Sequence, residues 1–156
     1  MLKTNISNGV GKKSTIYLGA DHAGFRLKTA IKNYLLENGF KYKDLGDNRL
    51  IPDDDYPDYA KKVAKAVANH KNHFGILVCG SGHGMSIVAN RHKKIRAILG
   101  FSIEAAIVAR HDSDSNVLCL AGRFLKTDHA LNIVEQFLKT PFSGEERHTR
   151  RIKKLS

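Results

Sequence analysis

The chain has 156 residues, 42% of them hydrophobic, which suffices for one domain with its own core. No hydrophobic run approaches the roughly 20 residues that span a bilayer, and residues 1–14 lack the hydrophobic segment of a secretory signal, so we expect neither. The two cysteines, Cys79 and Cys119, lie in or at the end of hydrophobic runs. That placement favours reduced thiols and a cytoplasmic location.

The formal net charge of +11 permits either a nucleic-acid partner or a small anionic substrate. The last ten residues, 147–156, carry five Lys or Arg and no acid, whereas aspartates cluster within 53–58. The sequence has neither a zinc-finger spacing of Cys and His nor an RNA motif with interleaved aromatic residues. We therefore predict no nucleic-acid partner.

Short hydrophobic runs alternate with amphipathic segments along the chain. Strands are predicted at 15–19, 41–45, 74–79, 96–100 and 116–120, and helices at 25–38, 57–69, 85–90, 103–110, 128–139 and 144–155. This alternation predicts a three-layer, doubly wound (Rossmann-like) α/β fold with a five-stranded parallel sheet between helices. Residues 1–14 are predicted to be a flexible leader, and residues 15–156 a single domain.

The segment after the third strand carries the strongest local signal. It has the sequence Cys79-Gly80-Ser81-Gly82-His83-Gly84. Ligands of doubly wound folds bind beyond the carboxyl ends of the strands, and three glycines there let backbone N–H groups face an anion. The spacing fits neither a dinucleotide fingerprint nor a P-loop. Cys79, at the strand end before a helix, is a candidate thiolate base or nucleophile, whereas Cys119 is predicted to be structural.

Two further groups of polar residues are candidates for substrate binding. Asp21 and His22 directly follow the first strand, where they would meet substrate hydroxyls or phosphate. Arg147 and Arg151 are spaced i, i+4 on the tail helix, which suits a phosphate, although a solvated face is the commoner fate of such runs. No clustered ligand set indicates a metal, and we predict neither a metal nor a cofactor.

Together these motifs resemble the type B ribose-5-phosphate isomerases, a family that also includes galactose-6-phosphate isomerase subunits. The matching stretches lie between about residues 15 and 154, at 19–24, 55–60, 79–90, 115–118, 122–123 and 147–148. The resemblance implies a metal-independent aldose–ketose isomerase that interconverts D-ribose 5-phosphate and D-ribulose 5-phosphate in the non-oxidative pentose phosphate pathway. Two alternatives stay open: an isomerase of galactose or allose 6-phosphate, and a non-catalytic module that binds sugar phosphates.

The resemblance also implies a role for each matching residue. Cys79 matches the base that moves a proton between C1 and C2, and Ser81 a residue that assists the chemistry of the sugar ring. The amides of residues 80–84 match the hole for the enediolate. The implied substrate-binding residues are Asp21, His22, Gly80, Gly82, His83, Gly84, Asn90, Arg123, Arg147, His148 and Arg151. The tail residues would come from a neighbouring subunit, which implies a homodimer or a dimer of dimers whose C-terminal helix reaches the partner.

One segment departs from the family pattern. The family usually has His-Asn-Asp-x-Asn before strand five, and that histidine helps to open the furanose ring. Here the sequence is His111-Asp112-Ser113-Asp114-Ser115-Asn116, so that counting back from Asn116 puts Asp112 at the histidine's place. We predict that His111 turns into the site and that Asp112 orients it. The alternatives are that Asp112 acts by itself, or that His111 only ends the helix.

Overall fold

The computed structural model describes residues 9–11 and 13–155. The strands are β1 Thr15–Ala20, β2 Lys41–Asp44, β3 His73–Cys79, β4 Ala97–Leu99 and β5 Val117–Ala121. The helices are α1 Phe25–Glu37, α2 Tyr56–Ala68, α3 His83–Ala89, α4 Ile103–Ser113, α5 Thr127–Lys139 and α6 Glu146–Lys153. Every predicted strand and helix is therefore present, with shifts of a few residues at the ends.

Only part of the predicted leader, residues 9–11, 13 and 14, belongs to the described residues. Residues 1–8 and 12 lie outside the described residues. At the end of the leader, the N–H of Val10 donates to the carbonyl of Leu138 at 2.6 Å, and the Val10 side chain is buried. Val10 therefore packs against the end of α5.

The five strands form one parallel sheet in the order β2-β1-β3-β5-β4. Successive side chains of a strand face opposite sides of the sheet, so each buried strand contributes side chains to the hydrophobic cores on both faces. On β3, Ile76 and Val78 pack with α1 and α5, whereas Leu77 and Cys79 pack with α2 and α3. The predicted three-layer, doubly wound fold is confirmed.

None of the helices in the described ranges combines the length and hydrophobicity that crossing a bilayer requires.

The chain reverses its winding direction at the boundary between β1 and β3. β2 lies on one side of β1, and the later strands lie beyond β3. Doubly wound sheets bind ligands at such a switch point, beyond the carboxyl ends of the strands. Ala20 pairs with Val78, which places the segment after β1 beside the loop after β3.

Helix α4 is three residues longer than predicted, and the cause is a buried arginine. Arg110 is 3% exposed, and its Nη1 donates to Asp114 Oδ1 at 2.8 Å and to the Ser115 carbonyl at 2.6 Å. These bonds hold Asp114 in a left-handed conformation (φ 45°), which ends the helix after Ser113. His111 and Asp112 consequently lie on the last turn of α4 rather than in the loop that follows it.

The loop between β2 and α2, residues 45–55, is anchored by a buried lysine. Lys28 is 2% exposed, and its Nζ donates to Asp44 Oδ1 and to the carbonyl of Asp47, both at 2.9 Å. The hydroxyl of Tyr59, in α2, donates to the carboxylate of Asp47. A buried lysine requires such partners because an unpaired charge in the core is costly. The loop is thereby tied to both α1 and α2.

Candidate active site

A cleft of about 550 Å³ opens beyond the carboxyl ends of β1, β3 and β5. The predicted site residues that line it are Asp21, Cys79, Gly80, Ser81, Gly84 and Arg123, and they are joined by Tyr56, Ile87 and Phe124. Residues from four separate segments of the chain thus meet at the switch point of the sheet.

The loop after β3 bends around the sulfur of Cys79. The N–H of Gly82 donates to Cys79 Sγ at 3.1 Å, and the N–H of His83 donates to Ser81 Oγ at 3.4 Å. Gly82 adopts φ +77°, and a Cβ there would lie 2.5 Å from a methyl group of Leu99, so only glycine fits the turn. The sulfur therefore sits at the wall of the cleft beside a backbone donor.

The second cysteine is placed differently. Cys119 lies within β5 and is fully buried, and this burial raises the pKa of its thiol. It does not line the cleft. Its position agrees with the predicted structural role.

Charged groups from two other segments surround the cleft. Asp21 Oδ1 accepts a hydrogen bond from the N–H of Gly24 at 3.0 Å, and burial raises the pKa of its carboxyl group. The guanidinium of Arg123 lies over Gly80, where an added Cβ would stand 3.2 Å from Arg123 Nη1. His22, next to Asp21, has a raised pKa because its ring is hydrogen-bonded to Asp54. The positive charge of Arg123 thus lies in the same cleft as the candidate thiol.

The remaining predicted polar residues form a separate cluster on α4 and α6. His111 Nδ1 lies 2.7 Å from Asp112 Oδ1, and His148 Nδ1 lies 3.7 Å from the same oxygen. The bond with His111 holds the pKa of the Asp112 carboxyl below its usual range. Asp112, His148 and Arg151 line a smaller cleft of about 230 Å³. The predicted pairing of Asp112 with His111 is therefore present in the structure.

This cluster has the composition of a metal site as well as that of an anion site. His111, Asp112 and His148 each offer one ligand atom, and these atoms lie within 4.8 Å of one another. Arg151 lines the same cleft, and the positive charge of Arg147 also acts on Asp112. Two arginines beside two imidazoles favour an anion such as phosphate over a metal cation.

Within one chain, this second cluster lies far from Cys79. Helix α4 starts beyond the carboxyl end of β4 and returns the chain to the amino end of β5, a rise of about 16 Å for a helix of its length. His111 is on the last turn, and its carbonyl accepts the N–H of Ser143 at 3.0 Å, which places the start of the tail at the same edge. The cleft therefore lies at the carboxyl ends of the strands, and the cluster lies at their amino ends, on the opposite edge of the sheet.

Several predicted binding residues outside the second cluster do not line the main cleft either, among them Asn90 and His83. The side chain of Asn90, at the end of α3, makes two 2.8 Å hydrogen bonds to the backbone N–H and carbonyl of Ala97. His83 lies exposed on the first turn of α3. Their implied roles in substrate binding stay predictions.

Sequence reasoning from the residues alone missed four participants: Tyr56, Ile87 and Phe124, which line the cleft, and Asp54, which binds His22. Phe124 is 79% exposed, and nothing in its sequence context separates it from a core aromatic residue. Asp54 is one of three successive aspartates. The only available signal was the resemblance, which includes Tyr56 in a matching motif.

Comparison with known proteins agrees with this geometry. The family model described as Ribose/Galactose Isomerase matches residues 16–155. The crystal structure of a ribose 5-phosphate isomerase from Thermotoga maritima is 45% identical, with a TM-score of 0.87 over 92% of this chain and 97% of that chain. Ribose-5-phosphate isomerase B from Mycobacterium tuberculosis is 38% identical over 137 residues, which cover 88% of this chain and 85% of the relative.

A further solved structure was determined with a ligand. Ribose-5-phosphate isomerase B from Mycoplasma genitalium, with bound ribulose-5-phosphate, is 41% identical, with a TM-score of 0.88 over 90% of this chain and 93% of that chain. The fold of this chain is thus shared with solved structures of enzymes that act on a sugar phosphate. The chain belongs to the ribose/galactose isomerase family, and it is an isomerase.

Proposed function

We propose that the chain interconverts D-ribose 5-phosphate and D-ribulose 5-phosphate, with Cys79 as the base. The observation that carries the proposal is the position of Cys79 Sγ at the cleft wall, with the Gly82 N–H directed at it. The ribulose-5-phosphate bound to the Mycoplasma genitalium relative supports the choice of a five-carbon substrate. The reaction belongs to the non-oxidative pentose phosphate pathway, and we place it in the cytoplasm.

The chemistry requires one group that moves a proton between two adjacent carbons. The Cys79 thiolate removes the proton from C2 of the open-chain aldose, which leaves a cis-enediolate. The same thiol then delivers the proton to C1 while the hydroxyl proton of O2 passes to O1, which gives the ketose. Backbone N–H groups of residues 80–84 stabilise the negative oxygen of the enediolate. Ser81, which lines the cleft beside Cys79, assists the chemistry of the sugar ring. No metal takes part in this proposed mechanism.

The phosphate and the furanose ring require the second cluster. His148, Arg147 and Arg151 bind the phosphate together with Arg123, and His111, oriented by Asp112, opens the ring. In one chain Arg123 lies in the cleft with Cys79, but the groups of α4 and α6 lie across the sheet from it, so a complete site needs two copies. We therefore propose a homodimer, alone or paired as a dimer of dimers, in which each C-terminal helix completes the partner's cleft.

Substrate preference is the first test. A coupled assay with ribose 5-phosphate, galactose 6-phosphate and allose 6-phosphate is expected to give a kcat/KM at least about tenfold higher for the five-carbon substrate. A binding pocket typically discriminates between substrates that differ by one carbon by about that factor or more. A higher kcat/KM for either six-carbon substrate would favour the alternative isomerase. Binding of all three without turnover would favour a non-catalytic sugar-phosphate-binding module.

Complementation tests the shared site. Cys79→Ala and Arg151→Ala alter opposite edges of the same chain, so each protein alone is expected to have little activity. Refolding the two together at equal concentrations produces hybrid dimers with one intact site, and we expect about a quarter of wild-type activity to return. The matched control mixes Cys79→Ala with Ser81→Ala, which alters the same loop. Each site of such a hybrid dimer still carries one of the two substitutions, so no intact site forms. Full activity in a protein that sedimentation proves to be monomeric would contradict the shared site.

A further inference from the structure

The side chain of Asp54 holds His22 by two hydrogen bonds across a long stretch of sequence. Asp54 belongs to the 45–55 loop, 32 residues from His22, and its side chain is 10% exposed. Its Oδ1 accepts the backbone N–H of His22 at 2.7 Å and lies 2.8 Å from His22 Nδ1. One carboxylate oxygen thus fixes both the backbone and the ring of the histidine.

Asp54 is itself held in place. The hydroxyl of Tyr59, in α2, donates to the carboxylate of Asp47 in the same loop. The buried Lys28 donates to the carbonyl of Asp47 at 2.9 Å. A carboxylate on a loop tied at these points can set the orientation of a neighbouring ring, because its own position is determined by the surrounding packing.

The contact also determines which ring nitrogen carries the proton. Partial burial raises the pKa of Asp54, but the hydrogen bonds from the backbone and the ring of His22 lower it, and the net effect holds that pKa below its usual range, so the group is a carboxylate. A carboxylate only accepts hydrogen bonds, so His22 Nδ1 must be the donor. Nε2 is then the nitrogen available to a ligand.

The charges around the ring favour the imidazolium form. The bond with Asp54 raises the pKa of His22 most, the negative charge of Asp21 raises it further, and Arg123 opposes both. Asp21 and Arg123 line the cleft that contains Cys79. His22 is the neighbour of Asp21 in the chain, and its imidazolium form carries its second N–H at Nε2.

We infer that Asp54 is a positioning residue, which accepts a hydrogen bond from Nδ1–H of His22 and so fixes the ring with Nε2–H of its imidazolium form directed to the sugar phosphate. The inference rests on the proposed function, which makes His22 a substrate contact. It assigns to the 45–55 loop a part in substrate binding that goes beyond supporting the fold.

The test combines NMR of the histidine ring with kinetics. Long-range ¹H–¹⁵N spectra of the wild-type protein are expected to find neutral His22 protonated at Nδ1. In Asp54→Asn the pKa of His22 should fall, because the negative partner is lost, and the alkaline limb of kcat/KM for ribose 5-phosphate should move to lower pH. The KM should rise about tenfold, the effect of one weakened charge-assisted hydrogen bond, with kcat nearly unchanged. Asp54→Glu should restore most of the loss.

Asp47→Asn is the matched control, since Asp47 lies in the same loop and binds Tyr59 but makes no described contact with His22. It should leave the tautomer and the titration of His22 at their wild-type values. An unchanged His22 titration in Asp54→Asn, or an equal shift in Asp47→Asn, would overturn the inference. If the wild-type chain proves inactive on sugar phosphates while Asp54 still sets the His22 tautomer, the positioning stands and the proposed function fails.

Discussion

Cys79→Ala is expected to reduce turnover of ribose 5-phosphate by about 10²–10⁴-fold, the range that a positioned general base contributes. The substitution removes the only thiol that lines the cleft and leaves the backbone around it in place. Substrate binding, measured by calorimetry, should stay within about tenfold of the wild-type value, because the phosphate is held by other residues. The Cys79→Ala protein should therefore lose turnover while it still binds the substrate.

Cys119→Ala provides the control for this experiment. Both cysteines are buried on the same face of the sheet, but Cys119 lies inside β5, away from the cleft. Its loss should lower stability moderately, as removal of a small buried side chain does, and change kcat only slightly. Substantial turnover in Cys79→Ala would contradict the assignment of the base while leaving the fold and family intact.

Arg151→Ala is expected to raise the KM for ribose 5-phosphate by about 10²-fold. Arg151 lines the smaller cleft with Asp112 and His148, where its guanidinium suits a phosphate. Loss of charge-assisted hydrogen bonds to a doubly charged group corresponds to about two orders of magnitude in affinity. The phosphate is remote from the reacting carbons, but it positions them, so kcat should also fall.

Arg150→Ala is the matched control, because it removes the same charge from the adjacent residue of α6. Arg150 is exposed and lines a different groove, with Glu146 and Lys153 among its neighbours. The KM of the Arg150→Ala protein should stay within about twofold of the wild-type value, since surface charges away from a site contribute little to substrate binding. Equal effects of the two substitutions would mean that the tail acts through its overall charge, and the proposed phosphate contact would be wrong.

Much of the fold could be predicted because the hydrophobic pattern reflects local geometry. The continuous hydrophobic run of β3 and its glycine-rich end placed Cys79 at the edge of a parallel sheet, and the structure confirms that position. Asp21 likewise follows β1 and lines the cleft. These placements depend only on which residues follow a strand, and the order of residues along the chain determines that.

The end of α4 and the partners of buried charges could not be predicted in the same way. Lys28 looks like an exposed helical residue in the sequence. It is nevertheless buried, because its ammonium group forms an ion pair with Asp44, 16 residues away. Arg110 extends α4 because Asp114 and Ser115 accept its hydrogen bonds inside the core. The Lys28 contact joins two elements that the sheet brings together, and the Arg110 contacts, although local, are made by a side chain whose burial the periodicity of α4 does not indicate.

The sequence by itself determined the α/β class, the family and the two sets of polar residues, because periodicity and motif spacing are local properties of the chain. Only the tertiary structure decided that these sets lie at opposite edges of the sheet, since the direction of α4 carries His111 away from the end of β4. It also decided that Asp54, rather than its neighbours Asp53 or Asp55, binds His22. The physical reason is that hydrogen bonds between segments 32 residues apart depend on how helices and loops pack on the sheet, which no local pattern records.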